Sequence, residues 1–385
     1  MSVTASSDEE ALIIGLLSKA SVYVPSNPNI IIHSKQTMGF TGALVTDVTI
    51  TDALTDSESS NFFIKYIVPD KTVPAAKLAR NIASYRNEMN FLKTTGPSIK
   101  PTLAPNVIFP SLLGYYESPD ESEFIIVTSS LSNSFVTTAP STCTATLLDV
   151  MASFHSSTLI TSPTDHPSIW EIGTHTRHAS SAMPKTAAAF DDLCESFIAS
   201  NHSSSPTFQM ALENNVGRLL QEGGESILNS LSEKRRCLVH GDFKLGNFMW
   251  DKGGGGEVAM FDFQWSGGGT PAIDLAYFIL QCLSVSELSY VDSLVDTYFE
   301  RLQHHGGVSG EYTRPVFDEE LTLALVDMAR WIFSYRFSVK PQTPELFSER
   351  RQKDDPNVGA YMKYIEVVEW LTKKLIKYYA AAASS

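Results

Sequence analysis

Short apolar runs dominate the first 130 residues. They fall at 30–33 ("IIIH"), 44–50 ("LVTDVTI") and 61–68 ("NFFIKYIV"), and again within 107–116 ("VIFPSLLGYY") and 122–131 ("SEFIIVTSSL"). Runs of this length, rich in Ile, Val, Phe and Tyr, predict five strands. The first two are joined by a segment carrying Gly39 and Gly42, a hairpin pattern. Between the third and fourth runs the period changes. Leu78, Ile82, Tyr85, Met89 and Leu92 follow at spacings of four, three, four and three. That stripe predicts a helix over about 73–94, stopped by Gly96 and Pro97. The opening "SSDEEALIIGLL" predicts an earlier helix capped by Ser7 or Asp8.

After a Ser/Thr-rich stretch at 128–146 the helical period takes over. It predicts helices at about 145–160, 185–199, 206–231, 271–283, 286–304, 316–339 and 357–380. Only 236–263 breaks the pattern, with two short apolar runs, "CLVH" and "VAMFDF", on either side of a "DKGGGG" turn. The fold class expected is α+β. A small β-sheet lobe with one main helix would span 1–128, and a larger, mostly helical lobe 129–385.

Apolar residues make up 43% of the chain and charged residues 19%, enough for a sizeable core. Acidic residues outnumber basic ones by 43 to 29, giving a net charge of −14. This argues against nucleic acid and anionic membranes as partners, since both need a basic footprint. An anion such as ATP would need locally placed cations, backbone N–H groups or metal ions. Cys143, Cys194, Cys237 and Cys282 lie far apart, so reduced thiols are expected and not a zinc site or disulfide framework. The N-terminus has no basic region before its apolar run, and no stretch approaches 18 uninterrupted apolar residues. The expectation is a soluble cytoplasmic protein, a monomer or weak dimer, without membrane insertion.

Chemistry concentrates at 240–264. His240, Gly241 and Asp242 end an apolar run, Asn247 follows Asp242 by five residues, and Asp262 follows Asn247 by fifteen. A carboxylate and an amide on one loop, joined by a second carboxylate on a returning hairpin, suit phosphoryl transfer from ATP. One carboxylate would orient the acceptor hydroxyl, and the amide oxygen with the other carboxylate would hold Mg²⁺. Upstream, Lys65 lies inside a strand run, and a buried strand lysine calls for a partner. Glu88 stands on the flank of the 73–94 stripe, where it can face such a lysine.

These residues resemble the catalytic loop H-x-D-x-x-x-x-N and the D-F-G metal motif of the protein-kinase fold. "HGDFKLGN" followed by "FDFQWSGGGTPAIDLAYF" is similar to the aminoglycoside phosphotransferase and choline-kinase-like superfamily, and within it to the ecdysteroid kinase-like group. The resemblance covers roughly 30–340. It implies a two-lobed protein-kinase-like fold with ATP and Mg²⁺ between the lobes. It also implies γ-phosphoryl transfer to an alcohol of a small molecule, whether steroid-like, amino alcohol or sugar.

Residue by residue, it makes Asp242 the group that orients the hydroxyl and accepts its proton. Lys244 would stabilise the γ-phosphoryl, and Asn247 and Asp262 would bind metal. Lys65, paired with Glu88, would hold the phosphates. Backbone near Gly39, Thr41 and Gly42 would contact phosphate, and backbone at Ser129 and Leu131 would meet adenine. His240 would shape the loop and Asp274 would tie its backbone. Many members of the group carry tryptophan at the place of Lys244, and related chains often carry an acidic pair where this one has Ser129 and Ser130. His155 reads as a packed helix histidine. A nucleotide-binding scaffold without turnover and a metal-dependent phosphohydrolase are the competing readings.

Overall fold

The computed structural model describes residues 2–37, 43–53, 59–158, 169–174, 185–306, 312–355 and 358–383. Two compact units divide the chain. The first is 1–140 with 248–264, and the second 141–247 with 265–385.

The first unit is built on a six-stranded antiparallel sheet in the order β1-β2-β3-β4-β7-β6. Its strands are β1 (Val3–Thr4), β2 (Pro28–Thr37), β3 (Leu44–Asp52), β4 (Ser60–Ile67), β6 (Leu112–Glu117) and β7 (Phe124–Ser129). The β2–β3 pairing runs to Thr37 opposite Leu44. Gly39, Thr41 and Gly42, which connect these strands, lie outside the described residues.

Side-chain alternation gives the sheet two faces. Ile30, Ile32, Val48, Ile50, Phe62, Ile64, Ile125 and Val127 pack against Ile13, Leu16 and Leu17 of helix α1 (Ser7–Lys19). The opposite face meets helix α2 (Ala75–Asn90), where Ile67 and Phe124 pack on Ile82 and Tyr85.

Two sequence expectations change here. The cap of α1 is Ser6 rather than Ser7 or Asp8, because Glu9 stands three residues later and closes a reciprocal capping box with it. Gly96 and Pro97 do not stop α2. The chain passes through a π-helical turn, Phe91–Thr95, into α3 (Gly96–Ile99). Pro97 then falls in a first turn, where its missing N–H is not required.

A smaller sheet completes this unit, in the order β5-β11-β10-β8. It comprises β5 (Val107–Ile108), β8 (Phe135–Val136), β10 (Phe248–Asp251) and β11 (Val258–Met260). The hairpin of β10 and β11 holds Phe248 opposite Met260 and Trp250 opposite Val258.

The second unit is mainly helical. It holds α4 (Cys143–Ser157), α5 (Thr186–Ala199), α6 (Ser205–Glu213), α7 (Val216–Glu222), α8 (Gly224–Glu233), α9 (Ala272–Cys282), α10 (Val285–Leu288), α11 (Val291–His304), α12 (Arg314–Trp331), α13 (Pro344–Lys353), α14 (Ala360–Lys363) and α15 (Ile365–Ala382). The single helix expected over about 206–231 is three helices. Asn215 takes a left-handed conformation at φ 52°, and Gly223-Gly224 makes the second break. Helix α13 was not expected, since its charged sequence carries no apolar stripe.

A two-stranded ribbon in this unit pairs β9 (Cys237–Val239) with β12 (Gly267–Gly269). A side chain on Gly267 would collide with the Trp170 carbonyl, so the close approach of these backbones requires glycine. Among the described residues no helix is long and apolar enough to cross a membrane.

Candidate active site

The chemistry-bearing residues form two sets, one in each unit. In the first unit the sheet face that meets α2 carries Lys65. Its Nζ donates to Glu88 Oε2 at 2.7 Å and lies 3.5 Å from Asp262 Oδ1. The lysine and glutamate side chains are only 12% and 8% exposed, whereas Asp262 keeps 30%. Burial works against the Lys65 charge. The carboxylates of Glu88 and Asp262 outweigh it and hold the ammonium above its ordinary range. Burial pushes the Glu88 carboxyl up, Lys65 pulls it down, and Asp262 adds to the rise.

Asp262 sits at φ +66°, a left-handed conformation that a non-glycine residue adopts at a cost. Neighbouring contacts hold it there. Phe263 stacks on Phe91 at 3.8 Å and meets Phe109 edge-on. Asn87 Nδ2 donates to the carbonyls of Phe263 and Gln264 at 2.9 and 3.2 Å. Gln264 Nε2 donates to Glu88 Oε2 at 3.3 Å. The glutamine of "DFQ" therefore ties the turn to the same glutamate that pairs with Lys65. Ser129 ends β7, its N–H donating to Ser111 and its Oγ accepting from the Ser111 N–H. The carbonyl of Leu131 accepts from Ser134 and Phe135 N–H groups.

In the second unit β9 delivers the loop His240–Asn247. Both oxygens of Asp242 are occupied. Tyr277 O–H donates to Oδ1 at 2.7 Å, and Lys244 Nζ and Asn247 Nδ2 reach Oδ2 at 2.6 and 3.0 Å. Burial and then the Asp242 charge push the Tyr277 phenol far above its ordinary value, so it stays an O–H donor. Asn247 Nδ2 also donates to the Asp242 carbonyl at 2.8 Å, which commits the amide nitrogen and leaves Oδ1 as the acceptor end.

Asp274, fully buried near the start of α9, accepts from the N–H groups of His240 and Gly241 at 2.7 and 2.9 Å. His155 Nε2 lies 3.1 Å from the same carboxylate, and its Nδ1 is 2.6 Å from Tyr298 O–H. The carboxylate assigns the Nε2–H tautomer, with Tyr298 donating to Nδ1. Gly241 has φ +78°, and a Cβ there would strike the Trp265 carbonyl, so only glycine fits.

Lys65, Glu88 and Asp262 thus come together in one unit, and His240, Asp242, Lys244, Asn247 and Asp274 in the other. In the sequence Gln264 belongs to the D-F-Q run beside Asp262 without a role of its own, and Asn87 and Tyr277 do not stand out as site residues. Tyr277 carried a signal, since it stands three residues after Asp274 on one helix face.

In the first unit Asp262 offers a partly exposed carboxylate oxygen, and in the second Asn247 offers an amide oxygen; each by itself is a hard donor. Among the described residues no group of three or more His, Cys, Asp or Glu side chains is gathered for a metal. Mg²⁺ is ordinarily bound by one or two carboxylates together with substrate phosphates, not by an all-protein cage.

A family model described as the ecdysteroid kinase-like family matches residues 42–308. No curated protein matches the sequence. Among solved structures, an aminoglycoside phosphotransferase from Streptomyces rimosus is 14% identical, covers 84% of this chain and 98% of its own, and has a TM-score of 0.44. The choline kinase LicA from Streptococcus pneumoniae is 12% identical over 95% of this chain and 100% of its own, with a TM-score of 0.45. An aminoglycoside phosphotransferase from Alicyclobacillus acidocaldarius is 12% identical over 97% and 96%, with a TM-score of 0.46.

Proposed function

The chain belongs to the ecdysteroid kinase-like family and is a small-molecule kinase; from that premise we propose that it moves the γ-phosphoryl of ATP, with Mg²⁺, onto an alcohol of a small molecule. The observation that carries this reading is the pairing of Lys65 with Glu88 and Asp262. Glu88 and Asp262 hold Lys65 charged and fixed on a buried sheet face, and such an ammonium suits the phosphates of a nucleotide.

In this reading Lys65 binds the phosphates and Glu88 fixes its direction. Asp262 and the Oδ1 of Asn247 hold Mg²⁺, which supplies neutralisation of the triphosphate charge. Asp242 orients the acceptor hydroxyl and takes its proton as the bond to phosphorus forms. Tyr277 and Asn247 hold the carboxylate still for that task. Lys244, partly exposed and 2.6 Å from Asp242, stabilises charge on the transferred group. Gly39, Thr41 and Gly42 would contact phosphate, and the backbone at Ser129 and Leu131 the adenine. The acceptor class stays as the family resemblance gives it: a steroid-like alcohol, an amino alcohol or a sugar.

The test is a screen of such alcohols with purified protein and MgATP, read by mass spectrometry for an added phosphate. Product from the parent and none from Asp242→Asn, with MgATP affinity kept, supports the assignment. Equal turnover by the two proteins removes Asp242 from its role.

A further inference from the structure

Asp47 lies in the middle of β3 and is 5% exposed. Its Oδ1 is buried and has no hydrogen-bond partner among the described residues. An isolated buried carboxylate oxygen is a large desolvation cost, and folded chains keep such groups where something else supplies the donor.

The direction of the side chain follows from the strand. Val48 and Ile50 of β3 belong to the core against α1, so Asp47, by alternation, stands on the other face. That face is the one that carries Lys65. In the β3–β4 register Val45 lies opposite Lys65, and Asp47 lies opposite Phe63, two residues away on each strand. Asp47 and Lys65 are therefore diagonal neighbours on one sheet face, roughly 7–8 Å apart at their backbones. Phe63 in turn pairs with Thr128 of β7, also buried. The lysine is already committed to Glu88 at 2.7 Å and to Asp262, so it does not satisfy Asp47.

We infer that Asp47 is a nucleoside-recognition residue, whose buried carboxylate oxygen accepts a hydrogen bond from a donor of the bound nucleotide, a ribose hydroxyl or the exocyclic amine of the base. The inference rests on the reading of Lys65 as the phosphate-holding lysine. With phosphates at Lys65, the sugar and base are the only parts of ATP left to reach a diagonal neighbour on the same sheet face. Both carry donors that a carboxylate takes, and an acidic residue accepting from ribose hydroxyls is an established solution in dinucleotide folds. A hydrogen bond to a charged group is worth roughly a tenfold or greater change in affinity.

The experiment measures binding calorimetrically with the full chain and Mg²⁺. Its ligands are ATP, 2′-deoxy-ATP, 3′-deoxy-ATP and purine riboside triphosphate, which lacks the exocyclic amine. The parent is expected to bind one of the three analogues about tenfold more weakly than ATP, and which one identifies the donor. Asp47→Leu is expected to lower ATP affinity to the level of that analogue and to lose the discrimination. Without nucleotide, its melting temperature should equal or exceed that of the parent, because the unpaired oxygen is gone. Asp47→Asn, which keeps shape, serves if the leucine variant does not fold.

Equal affinity of the parent for ATP and all three analogues overturns the inference. So does an Asp47→Leu protein that keeps both ATP affinity and discrimination. A parent that binds no nucleotide at all overturns the ATP reading, and this inference with it.

Discussion

Three donors converge on Asp242, and two of them, Tyr277 and Lys244, are open to different tests. Tyr277→Phe keeps the packing of a buried ring and deletes one hydrogen bond to a carboxylate, an interaction worth about 1.5–3 kcal/mol. Turnover should fall more than substrate affinity, since what is lost is the placement of Asp242; a change confined to KM would contradict that. Lys244 is 40% exposed, and buried Asp242 keeps its Tyr277 and Asn247 donors without it, so the lysine adds little to stability. Lys244→Ala should therefore leave the melting temperature nearly unchanged while lowering kcat, and steady-state kinetics beside a thermal melt separates the two effects. The Lys65–Glu88 pair behaves oppositely. Removing Glu88 strips Lys65 of the nearer of its two carboxylates and leaves only Asp262 at 3.5 Å, so Glu88→Ala should destabilise the fold in a denaturant titration by up to about 3–5 kcal/mol. An unchanged midpoint would mean that Asp262 alone satisfies the lysine.

At this scale the polar residues that interrupt apolar runs were legible. Lys65, Asp242, Asn247 and Asp262 each stand where a hydrophobic residue would otherwise continue the pattern, and the Lys65–Glu88 contact followed from the family resemblance together with their strand and helix positions. Asn87, Gln264 and Tyr277 were not legible as site residues. Their partners are 176, 176 and 35 residues away in sequence, and the one local signal is the i, i+3 spacing of Tyr277 from Asp274.

Helix α2 shows the same division one level up. Its apolar stripe was readable, yet Asn87 and Glu88, both buried, lie beside that stripe and bind the turn 262–264. Asn87→Leu would leave the Phe263 and Gln264 carbonyls without that donor, at about 1–3 kcal/mol. The loss should also weaken metal-dependent nucleotide binding, because Asp262 is the first residue of the pinned turn. A variant with parental Mg²⁺ dependence would separate the turn from the metal. Element type was legible where period was strong, as in the strands around Lys65 and the helix after Gly269. Element ends were not, because they depend on capping and on backbone conformations that several residues share. Glu9 selected Ser6 over its neighbours as a cap, and a π-helical turn carried the chain past Gly96-Pro97. Nothing in the composition of the glycine run at 267–269 marks it as a strand. It is a strand, because only glycine lets its backbone approach Trp170 so closely.

Across the whole molecule, buried protons give a direction to one measurable property, the dependence of stability on alkaline pH. The four cysteines are free thiols, with Cys194 and Cys237 buried. Burial pushes both thiols well up, and it does the same to the phenols of Tyr277 and Tyr298. In each case the native value lies above the unfolded one, which is about 8.5 for a thiol and about 10 for a phenol. Below about pH 8.5 both states hold these protons and stability does not depend on them. Above it the unfolded chain loses protons that the native chain keeps, so the unfolded state binds fewer and stability falls as pH rises. Lys65, raised by its carboxylate partners once burial is overcome, adds loss in the same direction above about pH 10.4. A denaturant titration repeated from pH 7 to 11 should be flat at first and then decline. Each group contributes up to about 1.4 kcal/mol per pH unit once its unfolded value is passed. Cys237→Ala should lessen the slope above pH 9 while lowering stability at pH 7 through lost packing. Thiol labelling gives an independent reading: Cys194 and Cys237 should react with a disulfide reagent only on unfolding. Immediate reaction of all four thiols in the native protein, or a stability that rises above pH 9, would show that these protons do not govern the alkaline limb.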